Sequence, residues 1–385
     1  MFTKPLADAA LYRLRRSTDR AAMSLLCVAC YLAPWGSGTV VAAGLTPITA
    51  AAFALAAMLP VTLLLRGRAT NLRPFDILPL VILTIVGISV SWTKFPLIWK
   101  GTFYWYIACS SLYYAARMYL VTVRAVKITI SLFALGALTS IIFLRPLPGG
   151  DLGLSGTNQN FTAYAYAFIG FVLMCAQHMK IHHILKIAAL FVYFLLAIVT
   201  IFLGTRGALI SFVLMIAWFV YSWAFGPRLS RFTFFGGGAL ALLMAYGMFE
   251  WIPYAIESVL PGGADLSGRM PVWRLARTMI QDNLWAGVGA GAFRHMIPEE
   301  IGAHNLFLTL PLDAGLIGLF TFLVLIVAGM RPGMASNAAF HQRYILGLFS
   351  AMFYPIASSG HIELAPFMWV TLGLTFSFMR AEIFI

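Results

Sequence analysis

Three groups of residues in this 385-residue chain have the types and spacing to do chemistry. In Ala303-His304-Asn305-Leu306-Phe307-Leu308 a histidine stands where a polar stretch enters an apolar helix. A free imidazole titrates near about 6.5, so His304 can be neutral near pH 7 and accept a proton from an attacking hydroxyl. Asn305 beside it is placed to orient the ring or to touch a sugar. The second group is Gly204-Thr205-Arg206-Gly207, flanked on both sides by apolar sequence over residues 186–225. One helix of that length would be about 60 Å long, roughly twice the thickness of a bilayer's hydrocarbon core, so the chain must turn at Arg206. The third is Arg269-Met270-Pro271-Val272-Trp273-Arg274, with Arg277 one turn on. An arginine's planar fork binds phosphate oxygens bidentately and stays charged.

Other residues invite a chemical reading and do not sustain it. His178, His182 and His183 have helical metal-like spacing but no carboxylate nearby. Gly287-x-Gly289-x-Gly291 looks like part of a nucleotide loop, yet no strand precedes it and no Lys-Ser/Thr follows, so it reads as close backbone packing. Cys27, Cys30, Cys109 and Cys175 fall in apolar stretches, where cysteine is a small hydrophobe. His295 and His361 are reserve bases. The acidic residues expected on the outer side are scattered, with Glu299-Glu300 the pair nearest His304, and the first outer loop, residues 36–44, has none. No metal site and no cofactor is therefore expected.

The elements that must hold these residues are membrane helices. Hydrophobic residues make up 61% of the chain and charged residues only 10%, well below the roughly 25% charged fraction of soluble domains. Apolar stretches long enough to span recur at about 21–35, 45–65, 75–92, 98–116, 126–144, 161–177, 186–203, 207–225, 232–250, 304–329, 344–359 and 365–380. The expectation is an all-α bundle of about twelve transmembrane helices forming one polytopic domain over residues 1–385. Arg13, Arg15, Arg16 and Arg20 precede a first span that is followed by another, which reads as an uncleaved anchor. Placing the N-terminus in the cytoplasm puts most Lys and Arg residues inside, among them Arg66, Arg68, Arg73, Arg117, Arg124, Lys127, Arg228, Arg331 and Arg343. Both termini are then cytoplasmic. The formal charge of +13 is orientation signal and attraction to anionic lipid, not a nucleic-acid groove.

That topology leaves two substantial outer segments. Residues 145–160, rich in Pro and Gly, read as a loop. Residues 250–303 are too long for a connector, and within them 267–280 reads as a helix capped by Ser267 and lying in the membrane interface. Trp273, Leu275, Met279 and Ile280 supply its apolar side, and Arg269, Arg274 and Arg277 its charge. Asp76 and Asp313 are the deep ionisable candidates.

Taken together, Gly204-Thr205-Arg206-Gly207, Arg269-Met270-Pro271-Val272-Trp273, Gly287 to Phe293, Ala303 to Leu308 and Asp313-Ala314-Gly315-Leu316-Ile317-Gly318-Leu319 resemble the O-antigen ligase and polysaccharide polymerase superfamily of bacterial envelopes. The likeness covers about residues 150 to 320. It implies a metal-independent, inverting glycosyltransferase of the bacterial inner membrane with a periplasmic site that includes the loop 250–303. The implied donor is a glycan on undecaprenyl diphosphate and the implied acceptor, for a ligase, the lipid A core, in contact with membrane lipids and no nucleic acid. His304 is then the base, Arg206 and Arg269 grip the diphosphate, and Trp273, Arg274, Arg277 and Asn305 line the substrate. An O-antigen polymerase shares donor and motifs but joins lipid-linked repeats, and a lipid-linked glycan transporter would need no base. The oligomeric state and the sugars stay open.

Overall fold

The structure, a computed structural model, describes residues 3–32, 47–66, 72–120, 122–146, 152–153, 159–179, 181–225, 269–297, 302–357 and 366–379. Helices occupy eleven of the twelve apolar stretches: α1 (Thr3–Leu32), α2 (Pro47–Arg66), α3 (Leu78–Ile88), α4 (Pro96–Tyr119), α5 (Val123–Ile142), α6 (Gln159–Cys175), α7 (His183–Phe202), α8 (Arg206–Phe225), α11 (Leu306–Met334), α12 (Phe340–Ala357) and α13 (Pro366–Phe378). The stretch 232–250 lies outside the described residues. Between α8 and α11 come α9 (Arg269–Asp282) and the single turn α10 (Ala292–His295). Among the described residues, five segments are long and apolar enough to cross a membrane: Pro74–Ser91, Arg124–Ile142, His183–Phe202, Gly207–Phe225 and Leu306–Met334. The chain is a helical, multi-pass membrane protein, and the described residues include one small extended feature. Within the 145–160 loop, Arg145–Pro146 (β1) pairs antiparallel with Leu152–Gly153 (β2).

The helices pack as two compact units. The first contains Met1–Asp76, Trp105–Phe212 and Glu363–Ile385, and the second Ile77–Tyr104 and Val213–Ile362. In the first unit α1 packs on α2 and α5, and α6 packs on α5, α7 and α13. Its centre is unexpectedly polar. Arg117, assigned by sequence to a cytoplasmic edge, is fully buried and forks onto Asp76, with Nε to Oδ1 and Nη2 to Oδ2 both 2.9 Å. Tyr113 donates to the same carboxylate, Tyr114 donates to the Asp76 carbonyl at 2.5 Å, and the Arg73 backbone N–H donates to Oδ2 at 2.5 Å. Phe75 lies edge-on to Phe376 and Tyr113 edge-on to Trp369, which closes the network with aromatic rings. A positive charge that is paired in both fork positions can leave water, and this is how Arg117 is accommodated in the interior.

In the second unit α11 is the hub, touched by α3, α9, α10 and α12. It is broken at Gly315, whose φ of 66° and ψ of −175° lie where only glycine sits without strain. The break separates a buried first half, Leu306–Ala314, from a second half whose Ile317, Phe320, Leu323 and Val327 are exposed in the lipid-facing manner. The backbone groups freed there are taken up by the segment after α9: Val288 N–H donates to the Leu312 carbonyl at 2.7 Å and Leu316 N–H to the Leu284 carbonyl at 2.9 Å. Such pairing is obligatory where water is absent.

Candidate functional site

His304 and Asn305 form the junction into α11, and the backbone there is unusual. His304 has φ of 46°, the one non-glycine residue with positive φ among those described. An L-residue in this left-handed region costs roughly 1–2 kcal/mol, which glycine would avoid. Asn305 follows in extended conformation and caps the helix, its Oδ1 accepting from Phe307 N–H at 2.9 Å. That bond fixes which end of the carboxamide is oxygen, so the other end is the NH2 group. Asn305 is 1% exposed, and its Nδ2 has no hydrogen-bond partner among the described residues. A buried donor of this kind costs about 1–3 kcal/mol until something accepts from it.

The residues behind His304 come from α9, formed where the interfacial helix was expected. Its inward side is Val272, Trp273 and Ala276, packed with Phe293, Ile297, Ala303, Leu308 and Leu312, with Met279, Ile280 and Val288 at the margin. Leu275, expected on the apolar side, points out and is 37% exposed, because the inward stripe runs through 272, 273, 276, 279 and 280 at helical spacing. Trp273 is buried in this cluster and its indole N–H donates to the Ala303 carbonyl at 2.7 Å. Arg274 is exposed and Arg277 half-buried on the same helix. Arg269 opens α9 as its first residue, while Ser267, the expected cap, lies outside the described residues.

The glycine-rich segment packs closely, as its lack of a nucleotide-loop context implied. Gly287, Gly289 and Gly291 all have positive φ, and a Cβ on Gly289 would lie 2.7 Å from Thr93 Cβ. Gly291 N–H donates to Asp313 Oδ1 at 2.9 Å and Ala290 N–H to Ser89 Oγ at 3.3 Å. Asp313 is thus a buried anchor for this segment. His295 is half-buried with its ring 6.2 Å from Phe95, while Glu299, Glu300 and His361 lie outside the described residues.

Arg206 belongs to the first unit, separate in this division from the other site residues. It begins α8 directly after the tight turn at Leu203-Gly204-Thr205, where Gly204 has φ of 67°. The expected turn between two apolar helices is there. Thr205 is buried and donates to Asn160 Oδ1 at 2.8 Å, which ties the turn to the start of α6. Sequence reasoning gave Asn160 no role at the site, since its signal was only an acceptor-like Asn160-Phe161-Thr162 sequon and its place at the end of the Pro- and Gly-rich loop. No group of three or more potential metal ligands occurs among the described residues, and His182 caps α7 by accepting from Ile184 N–H at 3.4 Å. No protein-family model matches the chain, and no curated protein matches it as a relative.

Proposed function

We propose that this protein is an O-antigen ligase: a metal-independent, inverting glycosyltransferase with twelve membrane spans, cytoplasmic termini and a periplasmic site in the bacterial inner membrane. It moves a glycan from undecaprenyl diphosphate to a sugar of the lipid A core. The observation that carries the reading is the junction at His304, a histidine held in a strained left-handed conformation beside a buried amide donor with no partner among the described residues. Strain and unsatisfied polar groups of this kind collect at functional sites, where a ligand or a reaction uses them.

In the reaction an acceptor hydroxyl oxygen attacks the anomeric carbon from the face opposite the diphosphate. His304 takes the hydroxyl proton as the new C–O bond forms, and the bond to the diphosphate oxygen breaks with its electron pair. Arg206 and Arg269 neutralise the leaving diphosphate, with Arg274 and Arg277 alongside, and the Asn305 NH2 donates to a substrate oxygen.

The test is glycan transfer by purified protein with defined donor and acceptor. His304→Ala should lower turnover by about 10² to 10⁴, the usual worth of a general base, with protein level and membrane insertion unchanged. Near-normal transfer by that variant would remove His304 from the mechanism, and absence of transfer by the wild-type protein would favour a transporter. A lipopolysaccharide gel of a deletion strain separates ligase from polymerase: loss of all glycan-capped core indicates the first, and a single remaining repeat the second.

A further inference from the structure

We propose that Trp273 is a positioning residue for His304: its indole N–H, bonded to the Ala303 carbonyl, holds the backbone that turns the imidazole toward substrate, and so couples the arginine-bearing helix α9 to the base. The proposal rests on the reading of His304 as the base and deepens it.

Three observations meet at this point. The bond is short, 2.7 Å, and reaches across thirty positions of sequence, from the interior of α9 to the last peptide before His304. Its acceptor is the carbonyl of the peptide linking Ala303 to His304, so it sets the orientation of the peptide plane on which the His304 φ of 46° depends. On the far side Asn305 secures the chain, accepting from Phe307 N–H through its side chain and from Leu308 and Thr309 N–H through its carbonyl, at 3.0 and 2.8 Å. His304 is thereby clamped on both flanks, and the N-terminal clamp is Trp273.

The surroundings make that clamp stiff. Trp273 is packed among Val272, Ala276, Phe293, Ile297, Ala303, Leu308 and Leu312. A bond inside such a cluster competes with little water and transmits displacement, because close-packed side chains do not yield continuously. Arg269 lies one helical turn before Trp273 at the start of α9. A diphosphate drawing on Arg269 therefore acts on the same rigid helix that holds the base, and Trp273 serves the reaction through His304 instead of by touching the sugar.

The experiment removes the N–H while keeping an aromatic side chain. One protein carries Trp273→Phe. A second carries benzothienylalanine at 273, a tryptophan isostere with sulfur in place of N–H that preserves the packed volume. Transfer kinetics are measured with donor varied, and the rate at which diethyl pyrocarbonate modifies each histidine is followed by mass spectrometry without substrate. Both variants should lose about tenfold or more in kcat with donor KM changed less than twofold, as expected when a reacting group is misplaced and binding is intact. The modification rate of His304 should change at least threefold while that of His178, in the first unit, stays constant. In a His304→Gly protein assayed with added imidazole as base, replacing the Trp273 N–H should cost less than twofold, because the freely diffusing base does not need the clamp. An unchanged His304 modification rate with unchanged kcat would overturn the proposal. A loss confined to donor KM would also overturn it and make Trp273 a donor contact. If wild-type protein transfers no glycan, the proposed reaction fails, and the His304 modification rate alone decides whether Trp273 positions that side chain.

Discussion

At the scale of single residues, His304 combines an expected chemistry with a backbone cost that sequence does not display. Glycine would relieve that cost. His304→Gly should therefore be as inactive as His304→Ala yet melt no lower than it, since the strain removed offsets the added freedom of the unfolded chain. Thermal unfolding of the two variants in one detergent checks this, and a clearly lower midpoint for the glycine variant would show that the left-handed conformation is not strained. The arginines are tested by exchange for lysine, which keeps charge and loses the fork. Arg206→Lys and Arg269→Lys should each lower turnover by about tenfold or more, whereas Arg228→Lys, on the cytoplasmic side in the proposed topology, should be silent. Wild-type donor binding and rate in all three would return the outer arginines to lipid anchoring. Asn305 belongs to the same scale, because the cap uses its oxygen and leaves its buried NH2 for another acceptor.

At the scale of elements, the break in α11 is what joins the segment after α9 to the membrane helix. A Cβ on Gly315 would drive into the Trp285 carbonyl and the following peptide, at a φ and ψ that side chains do not tolerate. Gly315→Ala should cost about 3 kcal/mol or more and leave little folded protein by size-exclusion profile and thermal midpoint. Gly101 in α4 has open space where a Cβ would go, so Gly101→Ala should be neutral or stabilise by up to about 1 kcal/mol in the same assay. The pair Asp76 and Arg117 holds the turn before α3 to α4 within the first unit. Removing one partner, as in Arg117→Met, strands a buried charge and should cost about 3–5 kcal/mol, while the double change Asp76→Leu with Arg117→Met should recover much of that loss. A double variant no better than the single one would give the network a role beyond pairing charges.

At the scale of the whole molecule, the proposed chemistry needs charge neutralisation without a divalent ion. Purified protein should transfer glycan at an unchanged rate in excess EDTA, because two arginines supply the positive charge that a metal would otherwise bring to the leaving diphosphate. Activity lost to chelator and restored by magnesium or manganese would redirect attention to Glu299 and Glu300. The two compact units divide the work of holding the residues in question: the first holds the Arg206 turn through Thr205 and Asn160, and the second holds His304 through Trp273 and Asn305.

What the sequence determined by itself was the helical, membrane-bound character, the placement of eleven helices, the turn before Arg206, the helix beginning at Arg269 and the junction at His304. These depend on local properties: runs of apolar residues long enough to span lipid, and glycine, proline and polar residues that interrupt them. The tertiary structure decided the rest. That Arg117 is buried against Asp76, that Trp273 bonds the peptide before His304, that Asn160 ties down the Arg206 turn and that Gly315 breaks α11 against Trp285 are pairings between positions from 30 to 45 residues apart in sequence. A hydrogen bond between distant segments leaves no periodicity in either one, and the left-handed φ of His304 is imposed by what clamps its neighbours. Local sequence places the His304 side chain on the chain, and long-range packing supplies the geometry in which it is held.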